Sequence, residues 1–329
     1  MSTELYPMKF SPIYKERVWG ADNLNKRLGK KIPSEIHNCG ESWEISAVEG
    51  NVSVVSNGFL AGNALDELIE IYMGELVGDK VFEKFGVEFP LLIKLIDAND
   101  TLSIQVHPND AVASERHHAY GKTEMWYVIS AQSDAKIYCG FNRDLTAAEY
   151  KSALDSKSLK DVLNADKVET GDVFYIPAGR VHAIGKGVML AEIQQTSDVT
   201  YRIYDWDRVG LDGKPRELHT DLALDVIDFK KTENPKYKAP NLLNKTSELV
   251  HCPYFTVNRL RFNSPIKRDY ALLDSFVIFL CVSGSVHIDY GQEQKVEVVK
   301  GETVLIPAEL SDITLYPQGE TIILETYVD

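Results

Sequence analysis

Long apolar runs are missing from this sequence. The longest, Phe276 to Val282, falls far short of the roughly 20 residues a membrane-spanning helix needs. Cysteine is scarce: Cys39, Cys139, Cys252 and Cys281 are scattered, without a CxxC pair. Cys139 and Cys281 sit in apolar runs and read as buried thiols rather than halves of a disulfide. Basic charge is also short. With 35 Lys and Arg against 49 Asp and Glu, the formal net charge is −14, which argues against nucleic acid or an anionic membrane surface as the main partner. A small anionic substrate is still allowed, because a few basic residues can dominate one cleft. Met1 to Pro7 lacks the basic start and apolar stretch of a signal peptide, so the expected location is the cytoplasm. No P-loop or GxGxxG dinucleotide fingerprint is present.

What is there is a globular composition, 44% hydrophobic and 26% charged, over 329 residues. That length suits two packed units or one large β-rich unit. Leu91–Ile96, Met125–Ile129 and Val173–Ile176 are β-branched or aromatic runs bounded by turn formers and read as strands. Helical spacing is confined to 64–85, 144–163 and 218–229. One internal echo organises the chain: Gly171-Asp-Val-Phe-Tyr-Ile-Pro-Ala178 is answered by Gly301-Glu-Thr-Val-Leu-Ile-Pro-Ala308. Each is preceded by a similar hairpin, 127–138 and 279–290. A glycine–acid turn feeding a strand that stops at Ile-Pro-Ala suits a jelly roll. The expected fold is therefore mainly β, with two jelly-roll barrels and helical insertions. Residues 1–233 would form the first unit and 234–329 the second, with the proline-containing segment 234–240 between them.

Leu102 to Asp110 alternates, which puts Ser103, Gln105 and His107 on one strand face and Leu102, Ile104 and Val106 on the other. Taken alone, that polar face is a weak signal and reads more readily as a solvated one. Glu124 stands directly before an apolar strand, and His182 follows the Ile-Pro-Ala turn. In a jelly roll these places converge at the barrel mouth. Two imidazoles, one carboxylate and one amide oxygen then make a mixed N/O set suited to one Zn²⁺. The second repeat is a control. Aligning the turns sets Asp312 opposite His182, aligning the hairpins sets Phe276 opposite Glu124, and no His-rich strand precedes it, so it reads as metal-free. His37, His219, His251 and His287 read as isolated. His117 and His118 fall in a polar stretch near the site.

Leu102–Asp110, Lys122–Trp126, Pro177–Gly185 and Glu192–Arg202 together resemble the type I mannose-6-phosphate isomerases, and in particular the short bacterial branch of that cupin family. The resemblance begins at Pro12-Ile13-Tyr14 and Arg17-Val18-Trp19-Gly20 and runs to the end. It implies Gln105, His107, Glu124 and His182 as zinc ligands, Arg202, Glu192 and Lys122 as catalytic residues, and Ser103 and Lys94 as substrate-binding residues. The implied reaction interconverts mannose 6-phosphate and fructose 6-phosphate through a cis-enediol. Glu192 is the first candidate base, with Lys122 or a zinc-bound water as competitors. Arg202 would stabilise the enediolate or grip phosphate. Some members carry a histidine, proposed there as a base, three residues before the ligand Glu; here that position is Gly121. Lys94 lies inside an apolar strand, where an ammonium must face outward, pair with a carboxylate or meet a phosphate.

The implied partner is a small hexose phosphate, with a monomer or weak homo-oligomer as the assembly. Two readings keep the fold and drop the reaction: a metal-dependent cupin oxygenase, and a sugar-phosphate-binding cupin without catalysis. A three-histidine set would favour the first, and a basic recognition helix would favour a regulator. Neither feature is evident in the sequence.

Overall fold

Alternating apolar residues build four main sheets, seen in a computed structural model that describes residues 5–291 and 294–329. The largest has seven strands, in spatial order Lys236–Lys238, Asp172–Ile176, Glu124–Ala131, Val188–Gln195, Leu91–Ala98, Cys39–Ile45 and Ile13–Ala21. A five-stranded sheet, Leu163–Lys167, Lys136–Phe141, His182–Ile184, Ile104–Val106 and Tyr201–Tyr204, faces it. Trp126, Phe174 and Leu190 from one and Ile137 and Cys139 from the other fill the space between them. The outer face of the smaller sheet is covered by helices Ala147–Asp155, Leu159–Val162 and Thr220–Leu224.

The second half repeats this arrangement. Six strands, Met8–Lys9, Thr303–Ile306, Val277–Ser283, Thr321–Tyr327, Thr256–Phe262 and Lys245–His251, face four, Ile266–Asp269, Asp312–Pro317, Ser285–Asp289 and Lys295–Val299. Phe279, Val304, Ile288 and Leu315 lie between them. The echo seen in the sequence is thus a duplication of strand order, and register makes it quantitative. Ile176 pairs with Glu124 in the first half, and Ile306 pairs with Val277 in the second. Val277, not Phe276, is therefore the counterpart of Glu124. The hairpin alignment slips by one residue because Phe276 and Val277 are both apolar, and only backbone pairing tells which face each takes. The same registers set Glu192, opposite Lys94 and Trp126, in the place of Glu325, opposite Asn258 and Phe279.

The two large sheets pack back to back. Leu91, Ile93, Leu95, Met125 and Tyr127 meet Val257, Ile278, Leu280, Leu305 and Leu324 in one continuous core with Leu65, Leu68 and Ile69 of helix Leu65–Val77. At about 1.5–3 kcal/mol for each large apolar side chain removed from water, this layer is a main source of cohesion. Two short strands knit the halves further. Met8–Lys9 pairs with Val304 and Leu305, and Lys236–Lys238, within the segment expected as a linker, pairs with Asp172–Phe174.

The helical expectations are met in part. The 64–85 stretch is broken twice: Leu65–Val77 is kinked at Met73, with φ +45° and ψ −124°, and Asp79–Phe85 is parted from it at Gly78 with φ +94°. A Cβ at Gly78 would lie 2.5 Å from the Asp274 carbonyl oxygen, so the break is where the second half presses on the first. The 218–229 stretch holds only the short helix Thr220–Leu224.

Candidate active site

Three polar side chains are brought together where the first pair of sheets converges. Glu124 opens its strand in the seven-stranded sheet, His182 opens its strand in the five-stranded sheet, and His107 follows Ile104–Val106. Their ligating atoms all lie within 4.8 Å of one another. Glu124 Oε1 is 3.3 Å from His182 Nε2, and Oε2 is 3.5 Å from His107 Nε2. Each imidazole is held from behind. His107 Nδ1 lies 3.0 Å from the Val199 carbonyl and His182 Nδ1 lies 2.8 Å from the Arg180 carbonyl. A carbonyl only accepts, so both Nδ1 atoms carry the proton and both Nε2 lone pairs point inward.

Burial sets the protonation. It pushes His182 down to about 3 and His107 well below the ordinary histidine value, so both rings are neutral, the form in which imidazole ligates a metal. Burial also raises Glu124, to about 7, against the pull of the Lys122 ammonium. Among the described residues, nine buried side-chain polar atoms make no hydrogen bond, and four of them are Glu124 Oε1 and Oε2, His182 Nε2 and Arg202 Nε. Such atoms cost free energy unless something occupies the space between them. Two neutral nitrogens and a carboxylate converging on one point fit a divalent cation, and the donor types fit zinc.

Above the cluster opens a cleft of about 640 Å³. Ser103, Gln105, Lys94, Lys122, Glu192 and Arg202 line it. Lys122 links the cleft to the cluster: its Nζ donates to His107 Nε2 at 2.9 Å and lies 3.1 Å from Glu124 Oε2, an ion pair rather than an aligned hydrogen bond. Glu192 is held at both oxygens, by Lys94 Nζ at 2.8 Å and Trp126 Nε1 at 2.8 Å. Burial would raise its pKa, but the charges of Lys94 and Lys122 outweigh this and the net direction is down. Lys94 also donates to Gln194 Oε1 at 2.7 Å. Of the three fates open to an ammonium in an apolar strand, the structure therefore shows the carboxylate pair. Arg202 Nη1 donates to the Glu217 carbonyl at 2.8 Å, which leaves the buried Nε without a partner.

Gln105 stands directly opposite both His182 and Arg202 in strand register and faces the cleft. His117 and His118 lie apart from the cluster: His117 Nε2 meets the Tyr201 hydroxyl at 2.8 Å, and His118 lines a separate groove. Gly121 sits where the chain is folded too tightly for any side chain, since a Cβ there would lie 2.5 Å from the Asp110 backbone nitrogen.

Several cleft residues escaped the sequence reading. Glu41 accepts from Arg17 Nε at 2.8 Å and from Trp43 Nε1 at 2.7 Å, and the Lys94 ammonium lies 5.3 Å from the Trp43 ring. With Lys15, Arg17 and Arg216 the lining holds six cationic side chains beside five carboxylates. The alternation of Glu41 and Trp43 within Cys39–Ile45 was the available signal for that face.

Comparison with known proteins agrees with this geometry. Residues 8–143 match the phosphomannose isomerase type I catalytic domain, and residues 245–326 match the mannose-6-phosphate isomerase cupin domain. The mannose-6-phosphate isomerase ManA of Bacillus subtilis is 37% identical over 98% of this chain and 99% of its own length. The mannose-6-phosphate isomerase of Streptococcus mutans is 40% identical over 89% of each. The crystal structure of a B. subtilis mannose 6-phosphate isomerase superposes with a TM-score of 0.87 at 33% identity, covering 98% of this chain and 99% of that one. A variant of the Salmonella typhimurium phosphomannose isomerase shares the fold at 16% identity, with a TM-score of 0.78 over 98% of this chain and 100% of that one. With relatives matched end to end and both domain families in their places, the chain belongs to the type I phosphomannose isomerases.

Proposed function

We propose that this protein is a zinc-dependent aldose–ketose isomerase that interconverts mannose 6-phosphate and fructose 6-phosphate through a cis-enediol. The observation that carries this reading is the buried His107–Glu124–His182 cluster, in which Glu124 and His182 carry unpartnered atoms, beneath a cleft lined by Lys94, Lys122 and Arg202. Gln105, in register with His182, completes the ligand set. When bound, one zinc supplies Lewis-acid polarisation of a substrate oxygen.

The chain's own residues then divide the work. Arg202, with its free Nε, and Ser103 hold the sugar phosphate against the wall of the cleft. Lys94, tied to Glu192, fixes that carboxylate and adds positive charge beside it. Glu192 stays ionised because of its neighbours, and takes the proton from C2 of the aldose and returns it to C1. Lys122 Nζ, at the border between cluster and cleft, gives a proton to one substrate oxygen and removes one from the other. Atoms balance, as an isomerisation requires.

We further assign catalysis to residues 1–233 and read 234–329 as a metal-free unit, in keeping with Val277 and the solvent-facing Asp312 where Glu124 and His182 stand in the first half. The four cysteines are free, which suits the reducing cytoplasm. The test is interconversion of the two hexose phosphates by purified protein, before and after chelation and zinc add-back. Turnover lost to chelator and restored by zinc supports the proposal. Folded, zinc-loaded protein without turnover overturns it and moves the search to other sugars or to a binding role.

A further inference from the structure

The lysine and the carboxylate just described hang on a backbone segment with no regular structure of its own. Residues 121–123 run between helix Asp110–His117 and the strand that begins at Glu124. Three consecutive buried N–H groups there need partners. Lys122 N–H donates to the Pro108 carbonyl at 3.1 Å. The other two are held by side chains: Gly121 N–H donates to Asp110 Oδ1 at 2.9 Å, and Thr123 N–H donates to Gln195 Oε1 at 2.9 Å. These two acceptors are joined, because Gln195 Nε2 donates to the same Asp110 Oδ1 at 2.9 Å. The second Asp110 oxygen accepts from the Tyr254 hydroxyl at 2.9 Å. Tyr254 belongs to the turn between strands Lys245–His251 and Thr256–Phe262 of the second half.

We infer that Asp110 is a positioning residue for the reaction, and that Tyr254 locks it from the second half of the chain. The relay Tyr254–Asp110–Gln195 clamps both ends of the 121–123 segment, which fixes where Lys122 Nζ and the Glu124 carboxylate sit. Gly121 is part of the device, since only a residue without Cβ lets the segment approach the Asp110 backbone this closely. The second half of the chain is then more than scaffold: it helps set the geometry of a site to which it contributes no ligand. The inference rests on the proposed roles of Lys122 and Glu124.

The test compares the full-length protein with Asp110→Ala, Asp110→Asn and Tyr254→Phe. Asparagine keeps an acceptor for Gly121 and Gln195 and can donate to the Tyr254 oxygen, so it should rescue what alanine loses. In Asp110→Ala, kcat for mannose 6-phosphate should fall about tenfold or more, in line with the loss of outer-shell support at metal sites, while KM stays within about threefold. The visible absorption of the Co²⁺-substituted protein should change as Glu124 shifts. Tyr254→Phe should move both readouts the same way by less, and it decides the matter if the alanine variant does not fold. Wild-type kcat and cobalt spectrum in a folded Asp110→Ala protein would overturn the inference, as would an asparagine variant no better than alanine. Amide exchange at Gly121 and Thr123 needs neither turnover nor metal. If wild type fails to isomerise, faster exchange at both amides in Asp110→Ala still supports the clamp, and unchanged exchange removes it.

Discussion

At Glu192 the roles of proton carrier and electrostatic anchor can be separated. Glu192→Gln keeps the shape but sets an amide against donors on both sides, Lys94 and Trp126. A lost base should cost about 10²–10⁴-fold in kcat at unchanged zinc content; near-normal turnover with full metal would remove Glu192 from the proton path. Glu124→Gln should instead lower bound zinc, measured by elemental analysis, because it removes the single carboxylate of the cluster. Glu41 tests the cleft wall through pH. Burial opposes its ionisation, but Arg17 and Lys94 prevail and hold it at about 2 against an ordinary value of 4.5. The folded value lies below the unfolded one, so Glu41 contributes stability above pH about 4.5 that drains away as the pH falls toward 2, on the order of 3 kcal/mol in all. Denaturant midpoints in Glu41→Gln should therefore show a flatter acid limb; an unchanged slope would contradict the assignment. His107, Glu124 and His182 were legible in the sequence because His107 continues an alternating polar face, Glu124 abuts an apolar strand and His182 follows the repeated Ile-Pro-Ala turn. The Arg17–Glu41 pair was not, because alternation can place Glu41 on a face but cannot name its partner on the neighbouring strand.

Among the elements, helix Asp79–Phe85 depends on a residue far away in the chain. The Asp274 carboxylate accepts from the backbone N–H groups of Asp79 at 2.7 Å and Lys80 at 3.2 Å, a capping role filled from the second half. Asp274→Ala should cost about 1 kcal/mol, read as a shift in denaturant midpoint with kcat unchanged; a loss confined to kcat would refute a capping role. The 64–85 stretch reads as one helix in sequence yet is broken at Met73 and Gly78, and the partner that caps its last part, Asp274, is not encoded locally. The long strands were legible through their alternation. Ile104–Val106 and His182–Ile184 were harder to delimit, because three residues are too few for a period to show.

In the molecule as a whole, the core shared by the two large sheets couples their stabilities. Heating should give a single calorimetric transition whose van't Hoff and calorimetric enthalpies agree; two resolved transitions would mean the shared layer is weaker than its composition implies. Residues 1–233 expressed alone would lack both that covering and the Lys236–Lys238 edge strand, and should scatter light as aggregate. The duplicated order of strands was announced by the Ile-Pro-Ala echo, whereas the crossing of short strands between halves had no counterpart in composition or period.

The pairing of Met8 and Lys9 with Leu305 and Val304 also has a consequence in time. On a ribosome adding about 5–20 residues per second, a partner roughly 300 residues downstream arrives some 15–60 s after the strand it receives has emerged. Throughout that interval Met8 and Lys9 lack their strand partner and are held only by residues of the first half, where Lys9 N–H donates to Asn57 Oδ1 and the Lys9 carbonyl accepts from Ser56 N–H. Pairing of Met8–Lys9 with Thr303–Ile306 is then a late event of folding during synthesis, and slowing translation should prolong the window in which a nascent-chain chaperone can hold that edge.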